Sequence, residues 1–266
     1  MDIKINNTVA SLDEKGAYLR ELKSGNNIII RKTFDGSETH GGAVVFFPFG
    51  NRVKNAEYEY KNVKYNLPKN DGNNSIHGLI RNEVFDCKKI KNGIEFYKNF
   101  ENNSYPGRAS IKIDYEIGNN SFNAHFHVKS LDREIPVEIG FHPYFYISGS
   151  YSIDYSKDLK MMNYVDTYFP DGTYTALDFK NKDLSNIILD NAFYLDGNIV
   201  LKDEKHTVKI IRYNMPYIVL YNSLYANGNS IAIEPMTGAP DAFNNGIGLV
   251  NLKKDQEFKC GYSIEF

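Results

Sequence analysis

The chain has 266 residues, 42% hydrophobic and 24% charged, a globular balance with enough apolar material for a sizeable core. Its formal net charge of −2 excludes broad electrostatic attraction to nucleic acid or to an anionic membrane, so a small, neutral molecule is the expected partner. No apolar run approaches the roughly 20 residues that cross a bilayer, and Cys87 and Cys260 lie too far apart in sequence for a Cys-based zinc motif. Met1-Asp2-Ile3-Lys4-Ile5-Asn6-Asn7 lacks the basic-then-apolar order of a secretory signal. With two thiols read as reduced, a cytoplasmic protein is expected.

Tyrosine and phenylalanine are abundant (20 and 17) and tryptophan is absent, a bias toward pleated, half-buried surfaces. In chain order, strands are predicted over 28–30 and 43–47. A hairpin follows over 85–100, with Asn92-Gly93 at its centre, since Asn-Gly supplies the two positive-φ positions of a type I′ turn. Residues 111–117 and 122–128 form a second hairpin through Gly118-Asn119-Asn120-Ser121, and 137–141 reads as a further strand. A short helical turn is expected over 156–162. Asp196-Gly197 marks a turn between 193–195 and 199–201. Strands at 217–221 and 230–234, a helical turn at 241–245 and a closing strand at 258–266 complete the pattern.

No window of a dozen residues keeps the apolar spacing of a capped amphipathic helix. Strand after strand without intervening helices argues against βαβ units and for an antiparallel sandwich or barrel. The Asn-rich stretch over 70–75 reads as turn chemistry, not as a domain boundary. A single all-β domain over residues 1–266 is expected.

Several chemical motifs are missing: there is no phosphate loop, no G-x-S-x-G elbow and no H-E-x-x-H zinc helix. Gly246-Ile247-Gly248 lacks the third glycine and preceding strand of a dinucleotide site and reads as a loop. Among the six histidines, His125 and His127 share one face of an alternating strand. With no acidic or cysteine partner nearby in sequence, they read as an outward polar face and not as a metal pair. His40 and His206 sit among charged and turn residues and are expected to be solvated.

His77 and His142 stand apart. His77, in Asn73-Asn74-Ser75-Ile76-His77-Gly78, sits at a loop-to-strand junction beside a glycine that lets another group approach the backbone. His142, in Gly140-Phe141-His142-Pro143-Tyr144-Phe145, is biased toward an extended conformation by Pro143 and framed by aromatics. Glu234 ends the apolar strand Ser230-Ile231-Ala232-Ile233-Glu234, where Pro235 stops the pairing and dense turn chemistry follows. Taken alone, each of the three fits a structural role at least as well as a chemical one.

Five segments in order resemble the aldose 1-epimerase (galactose mutarotase) family. Phe47-Pro48-Phe49-Gly50-Asn51-Arg52-Val53 is similar to the family's Asn-Arg substrate-binding turn, and Ser75-Ile76-His77-Gly78 to its His-Gly segment. Gly140-Phe141-His142-Pro143-Tyr144-Phe145 looks like the catalytic histidine segment, and Leu189-Asp190-Asn191-Ala192-Phe193 like the stretch with the substrate-binding aspartate. Ile231-Ala232-Ile233-Glu234-Pro235-Met236-Thr237, followed by Pro240-Asp241-Ala242-Phe243, resembles the segment of the catalytic glutamate.

The resemblance implies a large antiparallel β-sandwich, the galactose mutarotase-like supersandwich, with a sugar cleft on one sheet. It implies Glu234 as base, His142 as acid, and Asn51, Arg52, His77 and Asp190 as substrate clamps, with no cofactor and no metal. The His-Pro-Tyr-Phe form differs from the Asn-His-x-Tyr-Phe type of the classical members, and 217–222 carries no match to the family's usual glutamine. Contacts around the sugar are therefore expected to differ.

Anomerisation needs a proton to leave the C1 hydroxyl while another reaches the ring oxygen, and a carboxylate and an imidazole on opposite sides of that bond suit the task. Two rival readings keep the fold: a hexose-6-phosphate mutarotase using Arg52, Arg81 and nearby lysines, and a non-catalytic carbohydrate-binding module. An unrelated lectin would call for acidic calcium loops or tryptophan platforms, and neither appears. A monomer or a homodimer is expected.

Overall fold

Runs such as Ser121–Ser130 bury every second side chain, the pattern a pleated strand shows when one face is packed and the other wet. In the computed structural model, which describes residues 1–266, these runs build two large sheets in which every strand pairing is antiparallel. The 11-stranded sheet runs in the order Asp2–Ile5, Thr8–Asp13, Tyr18–Ser24, Asn27–Ile30, Gly140–Tyr146, Ser230–Met236, Tyr217–Tyr221, Asp190–Tyr194, Leu159–Tyr164, Pro170–Leu177. Its remaining strand, Ala43–Phe46, pairs with both Gly140–Tyr146 and Tyr18–Ser24. The 8-stranded sheet runs Tyr151–Tyr155, Ile199–Asp203, Thr207–Tyr213, Glu257–Glu265, Ser121–Ser130, Ala109–Gly118, Gly93–Phe100, Asp86–Ile90. The expected all-β architecture is what forms, and no helix is long and apolar enough to cross a membrane.

One cluster of 58 buried residues joins the inner faces of the two sheets. Phe141, Phe145, Ile218, Leu220, Ile231 and Ile233 come from the larger sheet, and Ile111, Ile113, Phe122, Phe126 and Tyr262 from the smaller. Phe141 meets Tyr262 edge-on with ring centroids 5.1 Å apart, a geometry the aromatic quadrupole favours. Several buried tyrosine hydroxyls find backbone acceptors, as Tyr115 does at the Ala17 carbonyl (2.8 Å) and Tyr105 at that of Pro136 (2.6 Å), while that of Tyr262 has none. Odd-numbered residues of Gly140–Tyr146 and Ser230–Met236 thus make core, and the even-numbered ones face away from the second sheet.

Several local expectations are corrected. In the hairpin over 85–100, Ile90 pairs with Gly93, so the turn is Lys91-Asn92 and only Asn92 has positive φ (63°). Gly93 belongs to the strand, where a Cβ would lie 2.0 Å from the Tyr115 carbonyl oxygen. Asp196-Gly197 does lie between two strands, as expected, and there the chain passes from the larger sheet, which keeps Asp190–Tyr194, to the smaller, which takes Ile199–Asp203. Residues 156–162 hold no helix, because Leu159–Tyr164 pairs with two strands. The turn at 241–245 does become the short helix Ala242–Asn245.

The predicted strand 137–141 breaks at Glu138-Ile139. There the chain leaves the small ladder Ile135–Val137 with Val250–Leu252 and enters the large sheet. The Glu138 N–H donates to the Pro48 carbonyl (2.8 Å) and the Ile139 N–H to Thr237 Oγ1 (2.9 Å), tying this step to the segments before Arg52 and after Glu234. Glu138 is fully buried and its Oε1 has no partner. Burial raises its carboxyl to about 8; the Gly50 N–H opposes that shift and the Asp241 carboxylate adds to it.

A carboxyl raised by folding favours the fold while protonated. Its contribution is complete below its ordinary value of 4.5 and is lost as pH rises toward about 8. Glu138→Gln, neutral throughout, is expected to lack this loss, which costs about 1.4 kcal/mol per pH unit within that window. Urea unfolding of both proteins from pH 4 to pH 9 checks it; parallel stability profiles would refute the assignment.

Candidate active site

The antiparallel register of the larger sheet decides which side chains meet. Gly140 pairs with Met236 and Tyr144 with Ala232, so the same register places His142 opposite Glu234. Glu234 pairs with Val219 on its other side, and Val219 with Ala192. The next row on this face is Tyr144, Ala232, Tyr221 and Asp190. Pro143 and Pro235, one on each side of the His142–Glu234 row, supply no N–H to the ladder, and pairing of the two strands is absent there.

His142 Nε2 and Glu234 Oε1 are 3.1 Å apart, with side chains 6% and 2% exposed. Neither His142 Nδ1 nor Glu234 Oε2 has a protein partner. Burial raises the Glu234 carboxyl well above the usual carboxylate range; the nearby Asp190 carboxylate adds to the shift and Arg52 opposes it. Burial lowers the His142 imidazole to about 3. The pair therefore holds one proton over a broad pH range, shared along the contact.

Aromatic neighbours hold the imidazole. The Tyr144 ring stacks on it at 4.7 Å, and Phe46 and His77 meet it edge-on at 5.8 and 5.6 Å. His77 lies flat on Phe46, with centroids 4.3 Å apart and planes 4° from parallel. It has positive φ (65°), as does Gly78 (66°), where a Cβ would stand 2.5 Å from the Phe47 carbonyl oxygen. Only glycine allows that approach. Burial pushes His77 well below the ordinary imidazole value, with His142 and Arg81 adding to the shift, so it enters the site neutral.

Arg52 is gripped from several sides. The Asn51 Oδ1 accepts its backbone N–H (2.8 Å), and its carbonyl accepts the Asp241 N–H (2.8 Å). Its Nε donates to Asp71 Oδ2 (2.7 Å), and its guanidinium carbon lies 3.9 Å from the centre of the Tyr168 ring. Asp190, at the start of Asp190–Tyr194, stands exposed opposite Tyr221.

Asn51, Arg52, His77, His142, Asp190 and Glu234 all line one cavity of about 290 Å³, close to the lower size limit of small-molecule pockets. Residues that sequence reasoning did not place there also line it, among them Asp71, Tyr144, Tyr221 and Tyr225. Asp71 sits in the Asn-rich 70–75 stretch, where nothing local separates a turn aspartate from an arginine anchor. His40 corrects the expectation of a solvated side chain: it lines the cavity, stacks on Tyr225 at 3.7 Å and holds Asp35 Oδ2 through Nδ1 (2.7 Å). His206 is likewise partly buried against Asp203 (3.3 Å).

The His125–His127 face also gains a partner invisible in sequence spacing. Asp114 Oδ2, from the neighbouring strand, lies 3.3 Å from His127 Nε2. No third metal-binding side chain joins them.

The arrangement presents a proton-sharing pair on the wall of a small polar cavity, with hydrogen-bonding groups at several angles. That suits acid–base chemistry on a compact, hydroxyl-rich molecule. Among curated proteins, YihR of Escherichia coli (strain K12) is 23% identical over 96% of this chain and 89% of its own length. Among solved structures, a galactose mutarotase-like protein from Clostridium acetobutylicum superposes with a TM-score of 0.86 at 20% identity, over 99% of this chain and 94% of the other. The GalM/aldose epimerase homologue from C. elegans gives 0.86 at 19% identity, over 100% and 97%, and galactose 1-epimerase from Lactobacillus acidophilus NCFM 0.78 at 20%, over 98% and 92%. These likenesses establish a galactose mutarotase-like fold. The family model for aldose 1-epimerase matches residues 2–265, so the chain belongs to the aldose 1-epimerase family.

Proposed function

We propose that the protein interconverts the α and β anomers of an aldohexose, with Glu234 and His142 as the acid–base pair and Asn51, Arg52, His77 and Asp190 as sugar-binding groups. The supporting observation is the 3.1 Å contact between His142 Nε2 and Glu234 Oε1 on the wall of the cavity those groups share. A placement on opposite sides of a bound ring does not fit that distance. Side by side does, because the C1 hydroxyl and the ring oxygen are both bonded to C1 and can be reached from one direction.

In the opening step Glu234 takes the proton of the C1 hydroxyl and His142 delivers one to the ring oxygen. The C1–O5 bond breaks as C1=O1 forms. After rotation about C1–C2 the two transfers run backwards and the ring closes on the other face, leaving the pair as it began. Glu234 acts as base when the shared proton lies on the imidazole, a position reached along the contact with no change in the pair's total charge. Arg52 favours that shift by stabilising the carboxylate. Its Nη groups and the Asp190 carboxylate suit the sugar hydroxyls, and neutral His77 can donate to a ring or carbonyl oxygen.

Glu234→Gln keeps size and burial but removes the base. It is expected to lower the anomerisation rate about 10²–10⁴-fold with an unchanged circular dichroism spectrum. Polarimetry on freshly dissolved α-glucose or α-galactose reads the rate, and wild-type turnover in the variant would end the assignment.

The pair works while it holds one proton. A second arrives only as pH falls toward about 3, and the first leaves as pH rises through the raised value of Glu234. After subtraction of the uncatalysed rate, kcat/KM, which reports the free enzyme, is expected to stay level through pH 6.5 on the acid side and to decline on the alkaline side. An acid limb centred near 6.5 would show an ordinary imidazole and contradict this electrostatic picture.

A further inference from the structure

Beyond the acid–base pair, a second imidazole of the cavity wall is held by a carboxylate of its own. His40 ends the short turn Glu38–His40, in the connection between Asn27–Ile30 and Ala43–Phe46, and lines the cavity. Its Nδ1 meets Asp35 Oδ2 at 2.7 Å. Asp35 Oδ1 accepts the Thr33 hydroxyl and the Ser37 N–H, both at 3.0 Å. The bond to His40, together with that from Ser37, holds the Asp35 carboxyl down at about 2, so it is ionised at neutral pH and Nδ1–H is the donor. Tyr225 lies flat on the imidazole, with centroids 3.7 Å apart and planes 8° from parallel. Nε2 meets no protein group, and the side chain stays 19% exposed.

The connection that carries His40 is fixed in place. The Tyr18 hydroxyl donates to the Gly41 carbonyl (2.8 Å), and a Cβ at Gly42, whose φ is +63°, would collide with that hydroxyl. Tyr144 stacks its ring on His142 and donates its hydroxyl to the Thr39 carbonyl (3.0 Å). The Tyr144 ring thus spans the wall between His142 and the residue before His40. With C1 at the acid–base pair, His40 is out of reach of C1 and stands toward the opposite side of a pyranose.

A carboxylate on one imidazole nitrogen fixes the tautomer and the aim of the ring and leaves the other nitrogen for a ligand. Packing against Tyr225 alone would need neither. In the neutral ring Nε2 accepts a hydrogen bond, and in the protonated ring it donates one. A sugar hydroxyl, being both donor and acceptor, satisfies either form.

We infer that His40 is a specificity-determining residue whose Nε2 takes one hydroxyl of the aldose on the side of the ring away from C1, with Asp35 as its positioning residue. This rests on the epimerase reading and adds a requirement on the substrate, a hydroxyl at C3, C4 or C6.

The test measures kcat/KM for anomerisation by the whole chain, using anomer-resolved NMR. The substrates are whichever of glucose and galactose turns over faster, as parent, and its 2-, 3-, 4- and 6-deoxy derivatives. One of the 3-, 4- and 6-deoxy sugars is expected to fall about 10–100-fold below the parent, because it leaves the His40 nitrogen unpaired. His40→Phe keeps a flat ring against Tyr225. It is expected to lose about 10–100-fold on the parent and on the 2-deoxy sugar, mainly through KM, and little on the one deoxy sugar that the wild type rejects. Asp35→Asn is expected to show the same pattern at smaller size, since the imidazole keeps its nitrogen but not its aim.

A wild type that handles the 3-, 4- and 6-deoxy sugars alike, or a His40→Phe loss that is absent or spread equally over all five sugars, would overturn the inference. Should circular dichroism show that variant unfolded, the same comparison on Asp35→Asn decides, with a selective loss in favour and an equal loss or none against. Retained turnover of every sugar by Glu234→Gln would instead overturn the epimerase reading, so the two failures are told apart.

Discussion

The site depends on one contact: an imidazole and a carboxyl, 3.1 Å apart and almost fully removed from water. In solution each group would titrate by itself near its ordinary value. Without water the charged form of each is penalised, and the pair settles on one shared proton. A site holding one proton for donation and one vacancy for acceptance meets the demand of reversible ring opening, where each proton given up must be returned. The same burial makes the pair costly to fold and moves both groups away from their ordinary values, as is common where protons are exchanged.

The rest of the larger sheet keeps that contact in place. A pleated strand turns alternate side chains to opposite faces. Gly140–Tyr146 and Ser230–Met236 can therefore give Phe141, Phe145, Ile231 and Ile233 to the core while giving His142, Tyr144 and Glu234 to the cavity. The large aromatic core anchors the two strands rigidly, and their register brings the acid and the histidine together. Prolines at 143 and 235 open the ladder where the two side chains meet. Beside them, Phe46 under His77, and Asp71 and Tyr168 around Arg52, hold long or rotatable side chains in single positions. Such anchoring fixes the polar groups of the cavity before any ligand arrives, so their ordering costs no conformational entropy on binding.

Polarity is distributed unevenly around the cavity. Asp71 holds Arg52, Glu234 stands against His142, and Asp190 lies at the exposed edge.

Much of this was legible in the residues themselves. The two-residue alternation, the Asn and Gly turns and the absence of helical periodicity specified an antiparallel all-β chain, since those signals are local and repeat at short range. The resemblance to the epimerase segments picked out Asn51, Arg52, His77, His142, Asp190 and Glu234, and all six do line one cavity. What local pattern could not carry was the partner of each group. Nothing in 70–75 marked Asp71 as the anchor of Arg52, nothing beside Glu138 foretold its burial, and His40 looked solvated until Tyr225 closed on it. Whether Asp196-Gly197 joins paired strands or passes between sheets was equally hidden. Register, burial and pairing across long sequence separations arise only when the chain has folded, because dielectric environment and interatomic distance belong to neighbours in space, not to neighbours in sequence.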